Sequence, residues 1–154
     1  MRREKNPNSL RIIVCGGRNF TDSSMLSYVL WHVHERRGLA ELVHGGQHGA
    51  EQMANRWAFE HGLRRTEIRA EWRKYGGAKA LMVRNRQMFE LKPRGVIAFP
   101  GGANSRTVVQ SARARGIPVL EAEALYSKYF AALRALEAAT RGTSPGASAS
   151  HPWA

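Results

Sequence analysis

Cysteine is all but missing from this chain: Cys15 is the single one among 154 residues. No intramolecular disulfide can form, so a small secreted scaffold held together by disulfides is excluded. Aspartate is just as scarce. Asp22 is the only one, and the other acids are all glutamates. Catalytic schemes built on paired aspartates, or on an aspartate cluster holding magnesium, have nothing to stand on. Long apolar runs are lacking too, since no stretch approaches the ~20 residues that a membrane helix needs. The segment Met1-Arg2-Arg3-Glu4-Lys5 is charged, with no apolar stretch behind it to make a signal peptide. These absences lead to the expectation of a soluble, cytoplasmic protein with no membrane partner. There are no internal repeats.

What the chain has in excess is positive charge. Lys and Arg number 24 against 12 Asp and Glu, a formal net charge of +12. So basic a balance favours polyanionic partners or phosphate-bearing ligands and says nothing about fold. Hydrophobic residues make up 43% and aromatics 8%, enough to enclose the core of one domain of ordinary size.

Apolar β-branched runs alternate with helical periodicity along most of the chain. Leu10 to Cys15 reads as a buried strand of a parallel sheet running into Gly16-Gly17. Thr21-Asp22 offers N-cap chemistry for a helix over Ser23–Arg37, which Gly38 stops. A strand over Glu41–His44 runs into Gly45-Gly46, and a helix over Ala50–His61 follows. Thr66–Trp72 reads as a third strand, and Arg73-Lys74-Tyr75-Gly76-Gly77 as a basic loop. A helix over Ala80–Leu91 ends at Pro93. Val96–Phe99 is a fourth strand with Pro100-Gly101-Gly102 at its end. A helix over Ser105–Arg115, a strand over Ile117–Leu120 and a helix over Ala124–Thr140 complete the pattern. The alternation predicts an α/β fold, a Rossmann-like, doubly wound, mainly parallel five-stranded sheet with an added C-terminal helix. The expected organisation is a flexible N-terminus (1–9), the domain (10–121), the C-terminal helix (122–140) and a Ser/Ala/Pro/Gly-rich disordered tail (141–154).

Three of the five strands run directly into glycines. In a parallel sheet their C-terminal ends share one edge, and open α/β sheets bind ligands in the crevice outside that edge. Glycines there let the backbone approach a ligand, and each following helix aims free N–H groups and the positive end of its dipole at the same place. A single glycine pair is adequately explained as a tight turn; three on one edge point to phosphate binding. The first turn lacks the G-x-G-x-x-G spacing, and the second strand ends in His44 where a ribose-binding acid belongs, which disfavours ordinary NAD binding. No Gly-Lys-Ser/Thr occurs, so a Walker-type nucleotide site is absent.

Arg84-Asn85-Arg86-Gln87-Met88 lies on the helix before the fourth strand. Arg84 shares a face with Met88, while Arg86 points away. An arginine near the ligand edge offers a fork of donors that fits phosphate. Between Arg64 and Arg94 ten basic residues face three glutamates, which suits either a phosphorylated small ligand or a groove for single-stranded nucleic acid. His44 and His48 have no evident third partner, so a metal is not expected. Cys15 reads as a buried structural thiol and Trp57 as core, and Tyr75 is a stacking candidate for a nucleobase.

Together, Arg11-Ile-Ile-Val-Cys-Gly-Gly-Arg18-Asn-Phe20-Thr21-Asp22, His44-Gly-Gly-Gln-His-Gly-Ala50, Arg84-Asn-Arg86-Gln-Met88, Phe99-Pro-Gly-Gly102 and Ala114-Arg-Gly-Ile-Pro-Val119 resemble the YspA-type (cpYpsA-related) branch of the SLOG superfamily. That superfamily is named for the DNA-processing protein Smf/DprA and the Lonely Guy (LOG) proteins. The resemblance covers about Leu10 to Leu120. It implies a Rossmann-like fold, a pocket for nucleotides or nucleotide-derived molecules such as ADP-ribose relatives, and a homodimer. LOG enzymes take a catalytic arginine from R-K-x-x-M, a position that Arg84 matches. They take a catalytic glutamate from P-G-G-x-G-T-x-x-E, where this chain has Val108. Asn104 stands for the third glycine of that motif, and Ser105 keeps a hydroxyl in place of threonine. Glu51 occupies a place where YspA relatives usually show aspartate.

The expected function is binding of a nucleotide or nucleotide-derived ligand at the C-terminal edge of the sheet, as a sensor, sequestering or accessory module without a cofactor. The expected contacts are Gly16, Gly17, Arg18, Gly45, Gly46, Gly49, Glu51, Tyr75, Arg84, Asn85, Pro100, Gly101, Gly102, Asn104 and Ser105. Two alternatives remain open. One is a LOG-like phosphoribohydrolase cleaving N-glycosidic bonds in nucleotides, which Val108 disfavours; the other is DprA-like binding of single-stranded DNA.

Overall fold

The computed structural model describes residues 10–141. The N-terminal segment 1–9 and, apart from Arg141, the tail expected over 141–154 lie outside the described residues. Five strands form one sheet: β1 (Leu10–Cys15), β2 (Leu39–His44), β3 (Arg64–Glu67), β4 (Gly95–Ala98) and β5 (Val119–Glu121). Their order is β3-β2-β1-β4-β5, and every pairing is parallel. The helices are α1 (Ser23–Arg37), α2 (Ala50–Glu60), α3 (Trp72–Tyr75), α4 (Gly77–Glu90), α5 (Ala103–Ala114) and α6 (Ala122–Arg141). The chain winds outward from β1 through β2 to β3, then crosses back to β4 and β5. A topological switch point therefore falls between β1 and β4.

The period-2 alternation of β1 serves two cores. Leu10, Ile12 and Val14 face α1, α2 and the start of α6, packing with Leu26, Val29, Leu30, Ala54, Trp57 and Tyr126. Ile13 and Cys15 face the other way, toward Met88 of α4 and Val108, Val109 and Ala112 of α5. Burying a side chain such as Ile13 or Leu30 stabilises the fold by roughly 1.5–3 kcal/mol each. Asp22 caps α1 as expected, accepting from the Met25 N–H at 3.0 Å.

Several boundaries differ from those read in the sequence. The third strand is Arg64–Glu67 rather than Thr66–Trp72. It is an edge strand paired only to β2, so it needs no apolar face, and its sequence RRTE gives none. Residues 72–75, expected as strand end and loop, form the short helix α3, and α4 begins at Gly77 instead of Ala80. The fifth strand is Val119–Glu121, and α6 follows it without a loop. The first half of α6 lies on α1, where Tyr28 stacks against Tyr129 with ring centroids 4.3 Å apart and Tyr126 is buried.

Candidate functional site

The turns after β1, β2 and β4 meet outside the C-terminal edge of the sheet. Gly17 N–H donates to the Pro100 carbonyl at 2.9 Å, and Ala50 N–H donates to the Gly17 carbonyl at 3.3 Å. The first turn thus bridges the other two. Its glycines are required by that closeness: a Cβ on Gly16 would fall 2.4 Å from the Ala50 Cβ and 2.8 Å from the Phe99 Cβ. Gly16 and Gly17 are buried, while Gly45 and Gly46 are half-buried and Gly101 and Gly102 exposed.

Beneath the second turn lies Arg84, only 5% exposed. Its position follows from α4, whose Met88 one turn later anchors the helix in the core. The Nε donates to Asn85 Oδ1 at 3.2 Å, and Asn85 Nδ2 donates to Asn104 Oδ1 at 3.1 Å, tying α4 to the first turn of α5. No acceptor among the described residues meets the terminal nitrogens Nη1 and Nη2. Every fully buried side-chain nitrogen and oxygen among those residues has a partner, so these two keep an opening to solvent. The guanidinium is a nearly buried cation with its outer donors unspent.

Glu51 supplies the opposite charge. It is 2% exposed, and its Oε1 accepts from the Gly45 N–H at 2.7 Å. Burial pushes the carboxyl above its usual range, against the pull of the Gly45 N–H and the Arg84 cation. Burial likewise lowers the Arg84 pKa, and Glu51 opposes that shift. The second turn, Arg84 and Glu51 therefore form one electrostatic unit. Arg86, on the opposite face of α4, is exposed and pairs loosely with Glu90 at 3.9 Å.

His44 belongs to the scaffold of that turn. Its Nδ1 accepts from the Gly46 N–H at 3.0 Å, which leaves the proton on Nε2 to donate to Asn55 Oδ1 at 2.9 Å. Burial lowers its pKa, so the ring is held neutral. With both nitrogens occupied it offers nothing to a metal, and His48 on the same turn is exposed. Cys15 is buried with its sulfur 4.0 Å from the Ser105 carbonyl, and burial pushes its pKa up to about 12.

At the third turn, α5 begins after Gly102 without a side-chain cap, so no side chain at the cap position takes the free N–H groups that a helix carries in its first turn. They border a hollow of about 440 Å³, lined by Phe99, Pro100, Gly101, Gly102 and Ser105 and, further along, by Arg106, Val109, Gln110, Arg113, Glu121 and Glu123. Four of the expected contacts (Pro100, Gly101, Gly102 and Ser105) line this hollow. Arg84, Asn85, Asn104, Glu51, Gly45 and Gly46 do not line it and form a separate network, joined to α5 through Asn104, while Gly16, Gly17 and Gly49 are the packing hub of the three turns. Arg18 is exposed, with its carbonyl close to Gly49. Tyr75 sits in α3 with Lys74 and Lys79 over its ring. Glu121 and Glu123 are not among the expected contacts, because the sequence ends the fifth strand at Leu120 and begins helical periodicity only at Ala124. Arg113, which donates to Glu121 at 3.1 Å, has no visible partner in that reading.

Comparison with known proteins agrees with the motifs. A profile described as YspA, cpYpsA-related SLOG family matches residues 10–75. The Gene 61 protein of Mycobacterium phage D29 is 31% identical over 120 residues, spanning 71% of this chain and 94% of that protein. The chain belongs to the YspA, cpYpsA-related SLOG family. The matched segment of this SLOG protein takes in the first two glycine turns, Glu51 and Tyr75, and stops short of Arg84 and the third turn. Among solved structures, MurG of Acinetobacter baumannii is similar over 71% of this chain with 20% identity and a TM-score of 0.45. The chain spans about a third of that molecule, 32% of its length.

Proposed function

We propose that this SLOG domain binds a nucleotide-derived molecule at the C-terminal edge of its sheet, with a phosphate group held between the Arg84 fork and the open first turn of α5. The observation that carries this reading is Arg84 itself. A guanidinium buried to 5% exposure with its outer donors unpaired is costly to keep. An anion seated there would supply the missing acceptors and countercharge. The start of α5, with no side-chain cap, adds free N–H groups and a favourable dipole. The hollow at the start of α5, with Phe99 and Val109 and polar groups in its lining, has room for a nucleoside. Family membership supports a nucleotide-related ligand.

Titration with AMP, ADP, ADP-ribose and cyclic ADP-ribose, followed by thermal shift and calorimetry, tests this. At least one of these raises the melting temperature by mass action, and Arg84→Met, which keeps the apolar stem and removes the fork, abolishes that gain. No response across the panel by the unaltered protein sinks the reading. The role is that of a binding module. At the position of the LOG glutamate, Val108 is fully buried in the apolar core beneath α5 and presents no group to a ligand.

A second reading rests on a separate surface. On the β3 side, Phe59 is 66% and Trp72 54% exposed, and Arg64, Arg65, Arg69, Arg73 and Lys74 are exposed with them. Exposed aromatics among cations suit single-stranded nucleic acid. Anisotropy of a labelled oligonucleotide would then fall steeply with salt, whereas small-ligand binding at Arg84 would be far less salt-sensitive.

A further inference from the structure

Glu67 ends β3 at the same edge of the sheet as the glycine turns, in register with His44 at the end of β2. Its carboxyl is pressed against the second turn: a Cβ on Gly46 would fall 2.3 Å from Oε1 and 2.8 Å from Cδ. The turn holds together without it. The Gly46 N–H donates to His44 Nδ1 at 3.0 Å, and the Gly46 carbonyl accepts from Gln52 Nε2 at 2.7 Å. Arg69 Nε donates to Glu67 Oε2 at 2.8 Å from a side chain that is 79% exposed, and Oε1 has no hydrogen-bond donor among the described residues. Nor is Glu67 the countercharge of Arg84, a part that Glu51 plays. One carboxylate oxygen is therefore unspent beside Gly46. The Arg84 fork lies under Gly45, the next α-carbon along, ~3.8 Å away.

In dinucleotide-binding sheets an acid near the end of the second strand takes the ribose hydroxyls. Here β2 ends in His44, and both of its ring nitrogens are occupied. We propose that Glu67, one strand further out, fills that place: its carboxylate accepts from the vicinal hydroxyls of a ribose whose phosphate lies on Arg84. The inference rests on the reading of Arg84 as the phosphate site and adds to it a sugar and a rule of selectivity. A carboxylate accepts and cannot donate, so it holds a free diol through charge-assisted hydrogen bonds. It repels a phosphate on the same hydroxyl, so the site rejects 2′-phosphorylated ligands. The hollow at the start of α5 lies on the opposite flank of β1, toward β4 and β5, and does not compete for this sugar. ADP-ribose, with a sugar at each end of its pyrophosphate, is the probe that suits both flanks.

Calorimetry tests this with ADP-ribose and with two analogues, one lacking the adenosine 2′-hydroxyl and one phosphorylated there. The proteins are the unaltered full chain, Glu67→Gln and Arg84→Met, with melting curves to confirm that each is folded. The unaltered chain is expected to bind ADP-ribose about ten- to a hundredfold more tightly than the deoxy analogue, the worth of one hydrogen bond to a charged group. It binds the 2′-phosphate more weakly still. That comparison among ligands needs no variant. Glu67→Gln removes the charge at nearly the same size, loses most of the discrimination and gains affinity for the 2′-phosphate, because Arg69 is released toward it. Equal weakening of all three ligands by Glu67→Gln, as a merely structural role would give, overturns the proposal. So does ADP-ribose binding that depends on Arg84 yet ignores both the 2′-hydroxyl and Glu67→Gln; the phosphate site then stands and the sugar site falls. Failure of the unaltered chain to bind any of the three also overturns it, and AMP, ADP and cyclic ADP-ribose then decide whether the phosphate site falls with it.

Discussion

The guanidinium of Arg84 lies directly under the Cα of Gly45: a Cβ built on that glycine would fall 2.2 Å from Nη1 and 2.6 Å from Cζ. A methyl group there meets the far end of a long side chain rather than backbone, so the domain can accept it by displacing the guanidinium. Gly45→Ala is therefore expected to fold, with a melting temperature lowered by a few degrees. Affinity for a phosphate-bearing ligand is expected to fall about ten- to a hundredfold, the loss that follows when charge-assisted hydrogen bonds are misaligned. Calorimetry on the folded variant measures this. Unchanged affinity would remove Arg84 from the site.

Gly49 gives the opposite balance. A Cβ there would fall 2.2 Å from the Gly17 carbonyl oxygen and 2.5 Å from that of Arg18, both main-chain atoms, at a φ of +87°. No flexible group can step aside, and L residues rarely adopt that backbone conformation. Gly49→Ala should destabilise the domain by about 3 kcal/mol or more and pull apart the contact between the first and second turns. Chemical denaturation compares the two variants directly. Equal tolerance at 45 and 49 would mean that the turns do not pack as described.

The sequence revealed the repeating β-α pattern, the edge of the sheet that carries the turns and the helix that carries Arg84, because apolar periodicity and glycine pairs report burial and close approach. It hid β3, since an edge strand with the sequence RRTE buries almost nothing and leaves no apolar signature. Helical periodicity alone begins the last helix at Ala124, since α6 follows β5 with no intervening turn residue, although the boundary drawn at 122 matches its start. Within the site, Arg84 was legible from its spacing to Met88. Its link through Asn85 to Asn104 spans nineteen positions and depends on two helices docking side by side, which no local pattern encodes. That Gly16 lies where the turns meet, with no room for a Cβ between Ala50 and Phe99, shows only in three dimensions.

Val108 marks the place of a carboxylate in LOG enzymes, yet here the side chain is fully buried among Ile13, Cys15, Val96 and Ala98. Val108→Glu would put an uncompensated charge into that core, at a cost on the order of 3–5 kcal/mol. The expected outcome is loss of cooperative unfolding or a large drop in its midpoint, with no release of free base from nucleoside monophosphates. A stable Val108→Glu protein that hydrolyses AMP would show that the side chain faces the ligand after all.

Cys15 tests the same core by its reactivity. With the thiol pushed up to about 12 and its sulfur against the Ser105 carbonyl, essentially no thiolate exists near neutral pH. Ellman's reagent at pH 8 should leave the native protein unmodified and label it stoichiometrically in denaturant. Fast labelling of the native state would mean that the contact between β1 and the start of α5 opens readily.

Glu51 links the second turn to pH. Burial raises its pKa above the ordinary 4.5. Between the unfolded and the folded value, the unfolded chain has already released the proton that the folded chain retains. The folded state is therefore disfavoured progressively as pH rises through that window, and the penalty stays constant above it. Glu51→Gln removes the titrating group but keeps an oxygen to accept from the Gly45 N–H. Its melting temperature should match that of the parent below pH 4.5 and exceed it increasingly as pH rises through the window, the gap then holding to neutrality. If a bound phosphate relies on Glu51 only to hold the turn above Arg84, the variant also keeps most of its affinity. A gap of the opposite sign, with Glu51→Gln less stable at pH 7, would show that the attraction between Glu51 and Arg84 outweighs the cost of burying them.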